Sequence, residues 1–245
     1  MDDGARSFEE SLAMVRMAAE SGTTDIVATP HANLEYSFDP DLIGERILAL
    51  EEAIRTAGEP GPRIHRGCDF HLAYDNVQDA VAHPGKYTIN HGRYLLVEFS
   101  NLAIFHTTTE IFDRLLNAGM VPVITHPERN PLLQQRLPQL RQWAEMGVLL
   151  QVTAGSLLGS FGSRAREFSE TLLAENLVHC IASDAHDTER RTPRLDEARE
   201  WIEKRYNAAL AQALTAGNPG AMIANEPLPA PCDPPKPKKW YRFWG

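Results

Sequence analysis

Val178-His179-Cys180-Ile181-Ala182-Ser183-Asp184-Ala185-His186 is the stretch on which the fold turns. Val178 to Ala182 is a short apolar run of the kind that forms a fully buried strand, and it runs out on Asp184-x-His186. Residues two apart in extended backbone point the same way, so this carboxylate and this imidazole face one side. Five earlier runs have the same build: Asp25 to Thr29, Ile64 to Cys68, Tyr94 to Phe99, Val121 to Thr125 and Val148 to Val152. Their carboxyl ends deliver Thr29-Pro30-His31, Cys68-Asp69, Val97-Glu98, Ile124-Thr125-His126 and Val152-Thr153. Almost every strand ends on a metal-capable or hydroxyl side chain.

Between the strands lie stretches with helical periodicity: Phe8 to Glu20, Leu42 to Ala57, Glu110 to Ala118, Leu137 to Glu145, Arg164 to Glu175 and Leu195 to Tyr206. Ser7-x-x-Glu10 has capping-box spacing before the first, and Asn117-Ala118-Gly119 closes the third. Alternating strands and helices predict a parallel sheet with crossover helices. The chemistry gathered at the strand ends predicts a (β/α) barrel rather than an open doubly wound sheet, because barrels assemble their active sites on that face. One feature departs from a complete barrel. The chain passes from Asp2-Asp3-Gly4 straight into a helix, which predicts a missing first strand and an exposed sheet edge.

With 245 residues, 43% hydrophobic and 23% charged, the composition predicts one compact domain, placed at residues 1–225. Acidic side chains number 33 against 24 basic, a net charge of -9, which disfavours non-specific attraction to nucleic acid. Cys68, Cys180 and Cys232 are odd in number and widely spaced, which predicts reduced thiols and a cytoplasmic setting. No apolar run is long enough to span a bilayer, and Met1-Asp2-Asp3-Gly4 does not open a signal peptide. Residues 226–245 carry six prolines and read as an extended tail. Its last ten residues set four basic beside four aromatic side chains, a pattern suited to a membrane surface at the inner membrane or to an acidic partner, against a plain solvated tail.

His31, Asp69, Glu98, His126, Asp184 and His186 form a carboxylate and imidazole set without thiolates, suited to manganese, iron or zinc in an open polynuclear site. A single histidine after a strand is more often a satisfied structural residue; six such residues at five strand ends are harder to assign to chance. Arg129, three residues after His126, brings a guanidinium to the same loop and points to an anionic, phosphate-bearing substrate. Arg190 and Arg191 offer a second clamp, or a solvated pair. Other chemistries lack support. Six residues after the three cysteines stand Tyr74, His186 and Lys238 where a cysteine phosphatase needs arginine, and no GxGxxG, P-loop or GxSxG pattern occurs. His65, His71, His83, His91, His106 and His179 read as structural or surface residues.

Asp2-Asp3-Gly4, Thr29-Pro30-His31, Leu96-Val97-Glu98-Phe99-Ser100, Thr125-His126-Pro127-Glu128-Arg129 and Ala182-Ser183-Asp184-Ala185-His186 occur in an order that resembles the bacterial PHP-type (polymerase and histidinol phosphatase) protein-tyrosine phosphatases of capsule and exopolysaccharide loci. The resemblance spans roughly residues 2–225. It implies a distorted (β/α)7 barrel and a manganese-preferring site of up to three metals. It implies hydrolysis of phosphotyrosine on the tail of a bacterial tyrosine autokinase. By the same resemblance Asp3 is an early metal ligand and His31, Glu98, His126, Asp184 and His186 are later ones. Asp69 stands where the family often has a bridging glutamate, and Arg129 and Arg191 match its phosphate-contacting arginines. The family's first strand, with its His-x-His pair, is not found, so the missing strand and the missing pair are one gap. That predicts a truncated or misassigned start and weak activity in the chain as written. Two other readings compete: a phosphoesterase for small monoesters such as histidinol phosphate, and an inactive module that binds phosphopeptides.

Overall fold

The computed structural model describes residues 1–59 and 61–229. Cys232 and the basic, aromatic end of the tail lie outside the described residues. Eight strands form among the described residues: β1 (Asp25–Ala28), β2 (His31–Ala32), β3 (Arg63–Arg66), β4 (Asp69–His71), β5 (Tyr94–Glu98), β6 (Val121–Thr125), β7 (Leu149–Thr153) and β8 (Cys180–Ala182). All pairings are parallel, with β1 beside β3 and a six-stranded sheet ordered β2-β4-β5-β6-β7-β8. The chain is thus an α/β protein with a parallel sheet whose order follows the sequence. The run expected from Asp25 to Thr29 continues beyond a break at Thr29-Pro30, where proline has no N–H to give the ladder. Its neighbour breaks at the same level. Gly67 lies there because a Cβ would stand only 2.6 Å from Val27 Cγ1.

Six helices appear where periodicity predicts them: α1 (Phe8–Glu20), α2 (Pro40–Ala57), α4 (Thr108–Asn117), α5 (Leu137–Glu145), α7 (Gly162–Ala174) and α8 (Asp196–Arg205). Ser7 Oγ accepts from the Glu10 N–H at 3.1 Å, as the capping spacing requires. Gly119 takes φ 84° behind α4, a left-handed conformation suited to glycine. Four further helices lie outside those stretches: α3 (Tyr74–Ala82), α6 (Ala154–Leu158), α9 (Ala208–Gln212) and α10 (Asn218–Ile223). No helix among the described residues is long and apolar enough to cross a membrane.

Each central strand is buried on both faces, as parallel strands between two apolar layers must be. Leu95, Val97, Ile124, Leu150, Val152 and Ile181 pack outward with Phe112, Leu140 and Trp143 of the helices. Tyr94, Leu96, Val123 and Cys180 pack on the opposite face with Met222 of α10. Register then decides where the chemistry goes. His31, Asp69, Leu96, Val123 and Leu149 are successive lateral neighbours, and so are His71 and Glu98 one step further along. Neighbours in a parallel ladder share a face, so this inner face changes from apolar to ionisable at the strands' carboxyl ends.

His179, entering β8, accepts the Leu150 N–H on Nδ1 at 3.0 Å, which fixes it neutral with its proton on Nε2. Burial pushes this imidazole down to about 4. The unfolded chain takes up the proton near the ordinary value of about 6.5, so the stabilisation is complete above that pH and is lost as pH falls toward 4. Up to roughly 3 kcal/mol is expected to go over that window. Urea unfolding at pH 7, 5.5 and 4 checks it: His179→Gln should show a shallower acid decline, and parallel curves would remove the assignment.

Candidate metal centre

The first contributor precedes every strand. Asp2 Oδ2 accepts the His31 N–H at 3.0 Å and its Oδ1 accepts the Gly4 N–H at 3.1 Å, so the opening turn is tied to the start of β2. That tie presents Asp3, whose Oδ1 lies 3.3 Å from His31 Nε2 and 3.6 Å from His186 Nε2. Asp3 therefore joins the two edges of the six-stranded sheet, β2 beginning at His31 and β8 leading to His186. The other nitrogen of His31 faces the acids of the next two strands, with Nδ1 3.6 Å from Asp69 Oδ2 and 3.5 Å from Glu98 Oε2. His126 closes the group, with Nε2 3.9 Å from Asp69 Oδ2 and 3.6 Å from Glu98 Oε1.

Two sets of three donors result, Asp3, His31 and His186, and His31, Asp69 and Glu98, each with its ligand atoms within 4.8 Å of one another. His31 belongs to both. Its Nδ1 is buried and has no hydrogen-bond partner; unprotonated, that nitrogen offers a lone pair that a cation among these carboxylates would satisfy. The donors are oxygen and nitrogen only. Cys68 and Cys180 are buried outside the cluster, and burial pushes the Cys180 thiol up to about 12. The donor set therefore fits a divalent metal such as manganese, iron or zinc.

Electrostatics bears the same mark. Burial, and then the negative Asp69, hold the Glu98 carboxyl above its usual range. Burial alone would lower the His126 imidazole, but Asp69 more than reverses it. Crowded acids that raise each other's affinity for a proton do the same for a metal ion.

Asp184 sits apart from these contacts. Its Oδ2 accepts from Arg129 Nη1 and from Arg191 Nη2, so two guanidinium groups converge on one carboxylate oxygen. Burial opposes its charge, yet His126, Arg129 and Arg191 hold its carboxyl below the usual range. Behind Arg129 the Phe161 ring lies 4.3 Å from the guanidinium carbon. Arg191, rather than Arg190, is the second arginine that meets Asp184. Asp187 Oδ1 accepts the N–H groups of Glu189, Arg190 and Arg191, a turn that aims Arg191 inward. His126 at φ 34° and Asp184 at φ 52° are both left-handed, a strain found in few non-glycine residues and concentrated at functional sites.

Asp3, His31, Asp69, Glu98, His126 and His186 thus converge, Asp184 lies beside them with Arg129 and Arg191, and two further residues, His71 and Glu128, belong to the surroundings. His71, read as structural or surface, is the register neighbour of Glu98, with Nδ1 4.0 Å from its Oε2; burial lowers its imidazole. Its i, i+2 spacing from Asp69 was the available signal. Glu128 is fully buried between His126 and Arg129, and burial raises its carboxyl. Nothing in the local sequence marks it, because its partners come from the next strand and helix.

A family model for capsular polysaccharide synthesis, CpsB/CapC, matches residues 1–224. A putative tyrosine-protein phosphatase CapC of Staphylococcus aureus is 33% identical over 98% of this chain and 94% of that protein. The tyrosine-protein phosphatase YwqE of Bacillus subtilis (strain 168) is 32% identical over 100% of this chain and 95% of its own length. A solved structure, from work on YwqE of B. subtilis and CpsB of Streptococcus pneumoniae that describes them as unique metal-dependent tyrosine phosphatases, superposes with a TM-score of 0.87. It is 31% identical and covers 96% of this chain and 95% of that one.

Proposed function

The chain belongs to the CpsB/CapC family, and from that premise we propose that it is a metal-dependent protein-tyrosine phosphatase acting on the phosphotyrosine tail of a bacterial tyrosine autokinase that regulates capsule or exopolysaccharide synthesis. The observation that carries this reading is the convergence of Asp3, His31, Asp69, Glu98, His126 and His186 beside two guanidinium groups gathered on Asp184. His71 neighbours the same set. The phosphoesterase unit is placed at residues 1–225.

The fold that suits this site is a distorted (β/α)7 barrel of the PHP type. In its support, the strands of the six-stranded parallel sheet follow chain order, and Asp3 spans the interval between its two edges, meeting His31 of β2 and His186 beyond β8.

Asp3, His31, Asp69, Glu98, His126, Asp184 and His186 are the residues to hold up to three divalent ions, manganese by preference. Such ions polarise phosphoryl oxygens and lower the pKa of water to give a nucleophile at neutral pH. Arg129 and Arg191 already converge on an anionic oxygen and are placed to hold the non-bridging oxygens of a phosphate ester. Phe161 limits the motion of Arg129, so less freedom is lost when the ester binds. Beside them a cavity of about 150 Å³, walled by Leu158, Phe161, Ser183, Arg191 and Thr192, gives an aryl group an apolar side and a polar side. Phenolate, with a pKa of about 10, leaves with little help from a general acid. No side chain needs to become phosphorylated.

Hydrolysis of a phosphotyrosine peptide, compared with histidinol phosphate and a nucleotide monophosphate, tests the substrate class. The peptide should be strongly preferred; equal or greater turnover of the small monoesters would overturn it. The location proposed is the cytoplasmic face of the inner membrane, through the basic and aromatic residues 236–245. Co-sedimentation with anionic vesicles should fall on deleting residues 232–245, and equal binding would remove that contact.

A further inference from the structure

We propose that Glu128 is a positioning residue that aims both halves of the site, directing His126 at the acidic cluster and Arg129 at Asp184. The inference rests on the phosphatase reading above and adds to it a residue that touches neither metal donor nor substrate.

Glu128 is the middle residue of the single 3-10 turn Pro127–Arg129, entered through left-handed His126. Two backbone bonds close the turn, from the Arg129 N–H to the His126 carbonyl at 3.0 Å and from the Asn130 N–H to the Pro127 carbonyl at 3.3 Å. Both lie within the turn and neither ties it to a neighbouring strand or helix. The side chain of Glu128 makes such a tie. Its Oε1 accepts the Thr153 N–H at 3.0 Å and the Ser156 hydroxyl at 2.7 Å, tying the turn after β6 to the junction of β7 and α6. Its own carbonyl accepts from Gln134 Nε2 at 2.7 Å, which fixes the turn from the other side.

Glu128, Thr153 and Ser156 are each 0% exposed. An apolar side chain would fill that space without the desolvation a carboxyl suffers, so what the carboxyl contributes is two directed hydrogen bonds. The second oxygen, Oε2, is buried without a partner. Only Oε1 and the reach of the side chain are in use. Glu128→Gln would keep both, whereas Glu128→Asp would keep the acid and lose the reach.

The test uses the full chain, stripped of metal, in wild-type form and as Glu128→Gln, Glu128→Asp, Glu128→Ala and Ser156→Ala. Manganese binding is read by calorimetry, phosphotyrosine-peptide turnover by steady-state kinetics, and folding by thermal melting. Groups that orient metal ligands typically govern affinity by about 10- to 100-fold. Glu128→Ala and Glu128→Asp are expected to weaken manganese binding by about that factor and to raise KM as Arg129 loosens. Ser156→Ala, which removes one of two donors and leaves the turn untouched, should fall between them and wild type. Glu128→Gln should stay within about threefold of wild type on both readouts. A merely structural role would lower the melting temperature and leave affinity and KM in the folded fraction unchanged.

Wild-type affinity and KM in folded Glu128→Ala would overturn the proposal. So would Glu128→Gln as impaired as alanine, since that would make charge the operative property. Should Glu128→Ala not fold, wild-type behaviour of both Glu128→Asp and Ser156→Ala would overturn it equally. A wild-type protein that binds manganese yet hydrolyses no phosphotyrosine peptide would remove the phosphatase reading alone, because the ranking of manganese affinities would still decide Glu128.

Discussion

His31→Ala is expected to reduce kcat/KM for a phosphotyrosine peptide by roughly a thousandfold or more, on the order of the loss when a ligand rather than a supporting group is removed from a metal site. His31 is the one imidazole common to both donor sets, with Nε2 toward Asp3 and Nδ1 toward Asp69 and Glu98. The metal-free protein should tolerate the change. The backbone tie from Asp2 uses the His31 N–H, which alanine retains, and Nδ1 has no hydrogen-bond partner to lose. Metal analysis of the purified variant together with its melting curve separates a lost ligand from a lost fold. A stable variant with full metal content and wild-type turnover would take His31 out of the centre.

Arg129→Ala is expected to cost on the order of a hundredfold in kcat/KM, within the range for removing one preorganised charge from a developing oxyanion. The effect divides by chemistry. Without Arg129, Arg191 alone faces the phosphate, and Asp184 loses one of the groups that hold its carboxyl low. Arg129→Lys should recover only part of the loss, because an ammonium lacks the planar fork that spans two oxygens and stacks on Phe161. Full recovery by lysine would mean that charge alone matters and that the stacked geometry does not.

Much of this site is readable from the chain because strand ends are local features. Asp184, Thr125-His126 and Val97-Glu98 announce themselves by position at the end of an apolar run. Asp184 does not, however, share a face with His186 as extended backbone would require: β8 ends at Ala182, Asp184 is left-handed at φ 52°, and the two side chains meet different partners. Six of the helices show in the periodicity for the same reason. Asp3 is different in kind. It precedes any regular element, and only the resemblance to a family singles it out before its contacts with His31 and His186 are seen.

The residues that were missed depend on pairing. His71 reaches Glu98 because β4 and β5 lie in one particular register, and a shift of one residue would turn it to the other face. Glu128 reads as an ordinary loop acid until Thr153 and Ser156, some 25 and 28 residues later, close over it. The break between β1 and β2 is legible in Pro30, but its counterpart at Gly67 answers to Val27 across the ladder.

The most direct measurement is phosphotyrosine-peptide hydrolysis by metal-stripped protein as manganese is returned. The cluster around His31, Asp69 and Glu98 predicts no turnover in the presence of a chelator and saturable recovery with manganese, in step with manganese bound. Hydrolysis that persists undiminished in chelator, or its absence in protein shown to be loaded with metal, would contradict it.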